Sequence, residues 1–446
     1  QNALSTCLNS YWVRMELLTT AVGLKEGGLG QLIQVKNFRL VWTAQMSAQL
    51  AERFLMLSLV ILAYHLSATN TSVAVILLAY TIPAVLMAPL AGVIADRYDR
   101  KRVMMIANAA RAVLVILIPI SSWIPLFQGD FFHLLLITFA FAGVGQLFAP
   151  AEAAAIPTLI SRRQLMAANS LMMGTTVVSL VIGAAMGPII SGINLYAPYW
   201  IAAVLLAAAV FIVGIASFPS SDSGGQTRAE EGALAQLVEG WKVLAKSPIL
   251  RLSFGQLSLV ILLLFTTFTL APSYVSRVVG ISADDSSIIL APAALGCLVG
   301  ALALGVLRRK TNRWQLVGGA LGIAGVTLLA MIFLPELLHA LHDVYLIGWV
   351  VGILAFLLGL EFGGLLIPAF SDLMEFTDDR IRGRIFALVY MTINGVSVIP
   401  VLAASILADL IGTSRVVIII GVCLLLLAGV VLIRGRRRLT PIHEAC

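Results

Sequence analysis

Long apolar segments alternate with short polar ones along almost the whole chain. An α-helix needs about 20 apolar residues to cross a bilayer, and twelve segments approach or exceed that length. The longest polar stretch, residues 218–248, separates the first six segments from the last six. The twelve predicted spans are 38–66, 71–95, 102–121, 131–150, 165–193, 198–217, 250–275, 285–307, 314–334, 344–369, 385–411 and 414–434.

Composition agrees with this pattern. Of 446 residues, 60% are hydrophobic and 11% charged, with a mean hydropathy of +1.00, whereas soluble domains are about a quarter charged. We predict an all-α membrane protein whose twelve transmembrane helices form two pseudo-symmetric six-helix bundles. The predicted parts are an N-terminal cytoplasmic segment (1–36), a first bundle (37–217), a cytoplasmic linker (218–248), a second bundle (249–434) and a cytoplasmic tail (435–446).

The linker carries its own periodic pattern. It opens with the polar stretch FPSSDSGGQ, and apolar residues then recur at helical spacing. This pattern predicts an amphipathic helix on the inner membrane surface. The residues of its apolar face are Leu234, Leu237, Val238, Trp241 and Leu244.

The formal charge of +7 would be compatible with nucleic-acid binding, but the placement of the basic residues argues against it. With the loops assigned alternately to two sides, 25 of the 29 lysines and arginines fall on one side. Basic loops stay in the cytoplasm. We therefore expect a multi-pass protein of the plasma membrane, the inner membrane of a bacterium, with both termini cytoplasmic and with no nucleic-acid partner.

Span 1 contains a polar stripe. Gln45, Gln49, Glu52 and Arg53 are spaced i, i+4, i+7 and i+8, so they share one helix face. Polar groups facing lipid would remain without hydrogen bonds, so the stripe should face the bundle interior. Glu52 lies 14 residues after Phe38, about 20 Å into the membrane at about 1.5 Å per residue. We hypothesise that Glu52 takes up and releases a coupling proton; the alternative is a static Glu–Arg or Glu–Gln pair that orients the helix.

Two further charged residues fall inside predicted spans, where charges are costly and mark sites. Glu361 lies seven residues before Pro368, about 10 Å from the cytoplasmic end of span 10. It could bind a cationic substrate or a second proton, or serve in packing. Arg111 in span 3 could pair with Glu361, with Asp96 or with neither, and it shares a helix face with Asn108 at spacing i, i+3.

The loop between spans 2 and 3 concentrates charge: six of the seven residues from Asp96 to Arg102 are charged. The stretch GVIADRYDRKR, from Gly92 to Arg102, resembles the loop 2–3 signature of the major facilitator superfamily. Asp99 stands where that signature has its second glycine, and aspartate tolerates the left-handed backbone conformation that such a turn can use. The resemblance implies a cytoplasmic gate made by Gly92, Asp96, Arg97, Arg100 and Arg102.

Span 5 resembles the antiport-associated pattern of the same superfamily in all but one position. The matching residues are Gly174, Gly183, Gly187, Pro188 and Gly192, with Ser191 in place of the remaining glycine. Gly183 and Gly187 share a face and allow another backbone to approach. In the family this helix packs on span 8, which offers Gly296 and Gly300. Ordinary packing of small residues is the alternative interpretation.

The superfamily resemblance covers about residues 36–434. The runs FAPAEAAAIP (148–157), LMAANSL (165–171) and RGRIFAL (382–388) are similar to the macrolide-efflux and enterobactin-exporter branch of drug–proton antiporters. Gly145, Leu147, Pro150 and Ala151 also recur as Gly363, Leu365, Pro368 and Ala369 in the second half. The helix-4 arginine pattern of many drug–proton antiporters is absent, because Thr138 to Gln146 contains no basic residue.

These features predict a proton-coupled exporter of amphiphilic small molecules (a drug, macrolide or siderophore) that works by alternating access. Trp42, Met46, Tyr390 and Met391 would suit a large amphiphilic substrate in the cavity. The alternatives are a lipid or lysolipid flippase on the same fold and a non-transporting membrane scaffold or assembly factor. We expect no enzymatic activity, no cofactor, no metal site and a monomer; the partners are the substrate, protons and the bilayer.

Overall fold

The computed structural model describes residues 29–127, 131–161, 164–218, 241–245, 247–307, 313–339, 344–375 and 398–437. Within these ranges the secondary structure is helical, with brief 3-10 and π turns and no strand. We number the helices in chain order. They are α1 Leu29–Gln34, α2 Lys36–Ser67, α3 Asn70–Arg97, α4 Arg100–Ser121, α5 Phe132–Gly145, α6 Phe148–Leu159, α7 Leu165–Ile193, α8 Ala197–Ile215, α9 Pro248–Tyr274, α10 Ser287–Leu307, α11 Arg313–His339, α12 Val344–Glu375, α13 Val398–Ile411 and α14 Thr413–Arg437.

Most of these helices coincide with predicted spans. Within the described ranges, nine segments are long and apolar enough to cross a membrane. Three shorter apolar helical stretches, Asn70–Ala84, Ser287–Ala301 and Val398–Ile411, fall where spans 2, 8 and 11 are predicted. The protein is thus a multi-pass helical membrane protein, and the full count of twelve spans stays a prediction.

Span 4 differs from its prediction because it consists of two helices. α5 ends at Gly145 and α6 begins at Phe148. At the junction the amide of Leu147 donates to the carbonyl of Val144, and this hydrogen bond, with an N···O distance of 3.1 Å, closes a short turn. Pro150 has no N–H to donate to the carbonyl four residues earlier, so one backbone hydrogen bond of a continuous helix is missing at this point. α6 then runs to Leu159, well beyond the predicted end at residue 150.

The buried apolar residues form two large clusters, one in each half of the chain. The first is built from α2 to α6 and α8 and includes Leu55, Met104, Phe141 and Tyr199. The second is built from α9 to α14 and includes Val260, Ile332 and Phe362. Such cores are what two bundles require, although the domain boundaries given above remain predictions.

The predicted amphipathic helix of the linker lies mostly outside the described residues. Its last part, residues 241–245, is helical. Leu244 is buried against Leu250, Phe254 and Leu373, and the Trp241 ring meets the Phe254 ring edge-on at 6.2 Å. The end of the linker therefore packs on α9 and α12.

Candidate functional site

Glu52 lies at the middle of α2 and is the centre of a polar cluster in the first half of the chain. The Arg111 guanidinium donates through Nη2 to Glu52 Oε2 at 2.6 Å. The Tyr80 hydroxyl donates to Oε1 of the same carboxylate. The Arg111 side chain is 3% exposed and that of Glu52 is 29% exposed. Both carboxylate oxygens are thus hydrogen-bonded, while the Glu52 side chain as a whole stays partly exposed.

Arg111 is held in place from the side of α5. Its guanidinium carbon lies 4.5 Å from the centre of the Phe141 ring, a cation–π contact. Gly145 leaves room for the same group, because a Cβ there would lie 3.4 Å from the guanidinium carbon. The alternatives offered for Arg111 from sequence omitted its actual partner. The long side chain of Arg111 reaches from α4 to Glu52 in α2. The sequence places these two residues in different helices and does not indicate that they are close.

The other residues of the polar stripe on α2 are also turned inward, as expected. Gln45 is buried, and Gln49 and Arg53 are half-buried. Among the described residues, the side-chain oxygens of Gln45 and Gln49 and Nε of Arg53 are buried without hydrogen-bond partners. Arg53 is near enough to interact electrostatically with Glu52, but the ion pair of Glu52 is with Arg111. One carboxylate faces two guanidinium groups, so this cluster carries a surplus positive charge.

Three further polar residues are buried in the first half of the chain, and of these only Asn108 was named from the sequence. Glu152 on α6 is 6% exposed, and its Oε1 has no hydrogen-bond partner in the described part of the chain. Thr138 on α5 and Asn108 on α4 are fully buried, also with side-chain atoms unpartnered there. Glu152 could have been recognised as a single carboxylate in an apolar run, but the predicted span ended two residues before it.

Glu361 lies near the middle of α12, because that helix continues to Glu375. The apolar span within α12 ends at Phe370, so the depth of about 10 Å from the cytoplasmic end stays a prediction. It is 4% exposed, and the Thr327 hydroxyl of α11 donates to its Oε1 at 3.3 Å. Within the described residues Oε2 has no partner. Each half therefore carries a carboxylate at mid-helix, Glu52 with a buried arginine and Glu361 with a threonine.

The glycine face of α7 packs on α2. A Cβ at Gly183 would lie 2.4 Å from the Cβ of Arg53, and a Cβ at Gly187 would lie 3.4 Å from the Cβ of Leu57. The Ser191 hydroxyl donates to that of Ser58 at 3.1 Å. The Trp42 indole N–H donates to the Thr175 hydroxyl at 2.9 Å. The close approach predicted for the glycines thus exists, and its partner is the helix that carries Glu52.

The expectation that Gly296 and Gly300 receive this helix is wrong. Their Cβ positions would each lie 2.0 Å from carbonyl oxygens of Phe356 and Leu360, so both glycines face α12. α7 does meet α10, but there Ala184 lies in a cluster with Leu290. A glycine contacts a carbonyl oxygen only where two helix backbones approach closely. Between α7 and α10, side chains such as Ala184 and Leu290 make the contact instead.

Of the proposed aromatic and soft cavity residues, Trp42 is half-buried and Met46 is 41% exposed. Tyr390 and Met391 lie outside the described residues.

The two halves are joined by hydrogen bonds at the helix ends farthest from the Asp99–Lys101 loop. We call this side the outer side, following the charge-based prediction. Asp409 at the end of α13 accepts four hydrogen bonds from Asn70 and Thr71 at the start of α3. The Tyr64 and Ser276 hydroxyls lie 3.0 Å apart, and Arg277 donates to the carbonyl of Ala68 at 3.1 Å. The structure is closed between the halves on this side.

A family comparison accounts for this architecture. The model of the Major Facilitator Superfamily matches residues 41–399, which is most of the chain. The chain belongs to the Major Facilitator Superfamily.

Relatives within this superfamily are distant. The multidrug efflux pump Tap of Mycolicibacterium fortuitum is 24% identical over 390 residues, which cover 85% of this chain and 90% of Tap. The lysophospholipid transporter LplT of Serratia proteamaculans is 28% identical over 136 residues, 30% of this chain and 31% of LplT. The solved structure of the nucleoside transporter NupG has a TM-score of 0.67 at 13% identity, over 89% of this chain and 98% of NupG. The protein is thus a superfamily transporter and not an enzyme.

The superfamily loop between α3 and α4 makes several contacts within the first half. Asp99 has φ −58° and caps α4 by accepting from the Arg102 amide at 2.8 Å. The left-handed conformation considered for Asp99 is therefore not used, since an N-cap makes the turn instead. Lys101 donates to the carbonyls of Gly214 and Ala216 at the end of α8, at 2.7 and 2.8 Å.

The residues assigned to the superfamily gate are only partly described. Arg100 donates to the carbonyl of Ala154 at 2.9 Å, inside its own half. Arg97 and Arg102 are exposed. The backbone places Gly92 and Asp96 in the last turns of α3, but their side-chain surroundings lie outside the described part. The gate role of these five residues stays a prediction.

The residues that match the superfamily antiport pattern differ in solvent exposure. Gly183, Gly187 and Pro188 are buried in α7, which continues through the proline to Ile193. Gly174 and Gly192 are exposed, and a Cβ at Gly174 would meet nothing within 4 Å. Only the middle of the pattern contributes to the close packing with α2.

Proposed function

We propose that this protein is a proton-coupled exporter of amphiphilic small molecules that works by alternating access. The observation that carries the proposal is the Glu52–Arg111–Tyr80 cluster at the middle of α2. A carboxylate at membrane depth is costly to maintain and marks a functional site. The relation to the efflux pump Tap supports export of drug-like compounds. We place the protein in the plasma membrane of a bacterium, with both termini in the cytoplasm.

In the proposed cycle, Glu52 alternates between the ionised and the protonated form. Ionised Glu52 holds Arg111 and accepts from Tyr80, which ties α2 to α3 and α4. A proton on Glu52 removes the negative charge that binds the guanidinium, so Arg111 is released to other acceptors. The partial exposure of Glu52, 29%, gives a proton a route to the carboxylate. Substrate would bind beside this cluster and shift the balance between the two forms.

Proton flux in reconstituted liposomes tests the proposal. A pH gradient is imposed, and amphiphilic cations, macrolides and siderophores are added while an internal pH dye is followed. We expect substrate-dependent proton movement in the wild type and its reduction by at least about tenfold in Glu52→Gln, the loss expected of an essential proton carrier. Glu336→Gln is the matched control, since Glu336 is exposed near the outer end of α11. Equal flux in Glu52→Gln would move the proton site to Glu361.

A lysolipid flippase is the second candidate, and the surplus charge beside Glu52 favours it. Arg53 makes no ion pair with a described residue, and guanidinium groups bind phosphate well. The 136-residue match with the lysophospholipid transporter LplT supports the same reading. If no compound of the panel moves protons, translocation of fluorescent lysophospholipid is measured next in wild type and Arg53→Gln. Failure of that assay as well would contradict both candidate functions.

A further inference from the structure

Asp409 carries no role in the functional site above, yet its carboxylate makes four hydrogen bonds across the two halves. Oδ1 accepts from the amide and the side-chain nitrogen of Asn70, both at 2.8 Å. Oδ2 accepts from the amide of Thr71 at 2.8 Å and from its hydroxyl at 2.6 Å. Charge-assisted bonds of this length are roughly twice as strong as neutral ones.

The contact is an N-cap supplied by another part of the molecule. The first amides of a helix have no partner within the helix. In α3, Thr69 accepts from the amide of Ser72, and Asp409 takes those of Asn70 and Thr71. Asn70 is fully buried under this contact. An anion is stabilised at a helix N-terminus, and the amides of Asn70 and Thr71 have this acceptor only when the second half is docked on α3.

The position of Asp409 in its own helix strengthens this argument. It lies two residues before the end of α13, where the partial negative charge of the helix C-terminus disfavours a carboxylate. Separation of the halves would leave the carboxylate in that unfavourable place and would remove the acceptor of the first two amides of α3. Both effects favour the docked arrangement, so the contact should hold the outer side closed.

We infer that Asp409 is the residue that sets the stability of the outer closure in the transport cycle, by capping α3 from the opposite half. The two weaker bonds, Tyr64–Ser276 and Arg277–Ala68, lie on the same side and support it. The backbone gives the arrangement a counterpart, since Asp96 lies one residue before the end of α3, at the opposite membrane face. Closure on the two sides would then be governed by acidic residues at the ends of α3 and α13. The inference rests on alternating access in the proposed function, but not on the substrate or the coupling ion.

Distances across the outer side test the inference. In the full chain, Cys7, Cys297, Cys423 and Cys446 are replaced, and spin labels are attached at Ile193→Cys and Leu337→Cys, two exposed outer positions in different halves. Without substrate, we expect the short distance to dominate. Asp409→Asn should raise the ratio of long to short distances by about tenfold or more, because it loses the charge and turns an amide N–H toward a donor. The matched control is Asp285→Asn, an exposed outer carboxylate, which should leave the ratio unchanged.

A partner-side variant keeps the test decisive if Asp409→Asn does not fold. Thr71→Val keeps the shape of the side chain and removes one donor, so it should shift the same ratio in the same direction by a smaller factor. In the double variant the two effects should not add, because both remove one shared interaction. An unchanged ratio in either single variant, or strictly additive shifts, would overturn the inference. The measurement uses neither substrate nor pH gradient, so its failure is distinct from failure of the flux assay.

Discussion

At the scale of single residues, the polar cluster is a problem of charge balance. Glu52 is neutralised by Arg111, which is itself fixed by the Phe141 ring and by the space that Gly145 leaves. A buried ion pair is weak support for stability, but the loss of one partner leaves a charge without compensation. The pair should therefore behave as a unit in mutagenesis.

This balance predicts the stability of variants at positions 52 and 111. Arg111→Gln should lower the free energy of unfolding by about 3 kcal/mol, since the Glu52 carboxylate loses its counter-charge in the membrane. The double variant Glu52→Gln/Arg111→Gln should recover most of that loss because neither member of the ion pair is then charged. Thermal unfolding of the purified proteins in detergent measures both. A double variant as unstable as Arg111→Gln would show that Arg111 acts by packing alone.

At the scale of elements, glycines set the distance between α10 and α12. Gly296 and Gly300 lie against the carbonyls of α12, and Gly359 and Gly363 lie against those of Ala293 and Cys297. The reciprocal pattern brings two backbones into contact, as small residues do between membrane helices. Gly363 repeats Gly145 of the first half, where the space is filled by a guanidinium. One repeated position therefore serves two different neighbours.

The crossing predicts a strong contrast between glycines. Gly359→Ala would place a Cβ 1.9 Å from the carbonyl oxygen of Ala293, so the helices must separate. We expect a loss of about 3 kcal/mol or more, the upper range for overpacking. Gly319→Ala in α11, where a Cβ meets nothing within 4 Å, should be neutral or stabilising by up to about 1 kcal/mol. Similar unfolding curves for both variants would contradict the close crossing.

At the scale of the whole molecule, the two halves meet on the outer side, and in the proposed alternating-access cycle this closure alternates with closure on the other side. The gate predicted for the opposite side contains Asp96, which lies in the last turn of α3. Arg100 and Lys101 are engaged within their own half. These residues thus make structural contacts that are independent of any gate, and the role of the loop's arginines in topology stays a prediction.

A substitution at position 96 separates these two roles. Asp96→Asn keeps the size of the side chain and removes a charge that the superfamily resemblance places in the gate. We expect transport to slow by about tenfold, the effect of weakening one charge-assisted interaction, while membrane insertion and yield stay normal. Uptake into proteoliposomes measures the rate, and protease protection reports topology. Wild-type rates in this variant would remove Asp96 from the gate.

Much of the fold followed from local sequence. Apolar length predicted the spans because the membrane requires about 20 apolar residues per helix, and the spacing of Gln45, Gln49, Glu52 and Arg53 predicted an inward face. Errors arose where tertiary packing or a local turn decided the outcome. Pro150 divided span 4, and α12 extended to Glu375. Glu152 was missed because a single carboxylate beyond the predicted end of a span gives no periodic signal.

The sequence by itself determined the family, the helical membrane class and the presence of a carboxylate at the middle of α2. Hydropathy and residue spacing are local properties, so they can be determined from each segment of the sequence without knowledge of its neighbours in the fold. Only the tertiary structure decided that Arg111 pairs with Glu52, that the glycines of α7 pack closely against α2, and that Asp409 caps α3. These partners come from helices far apart in the chain, and side-chain reach and helix packing bring them together.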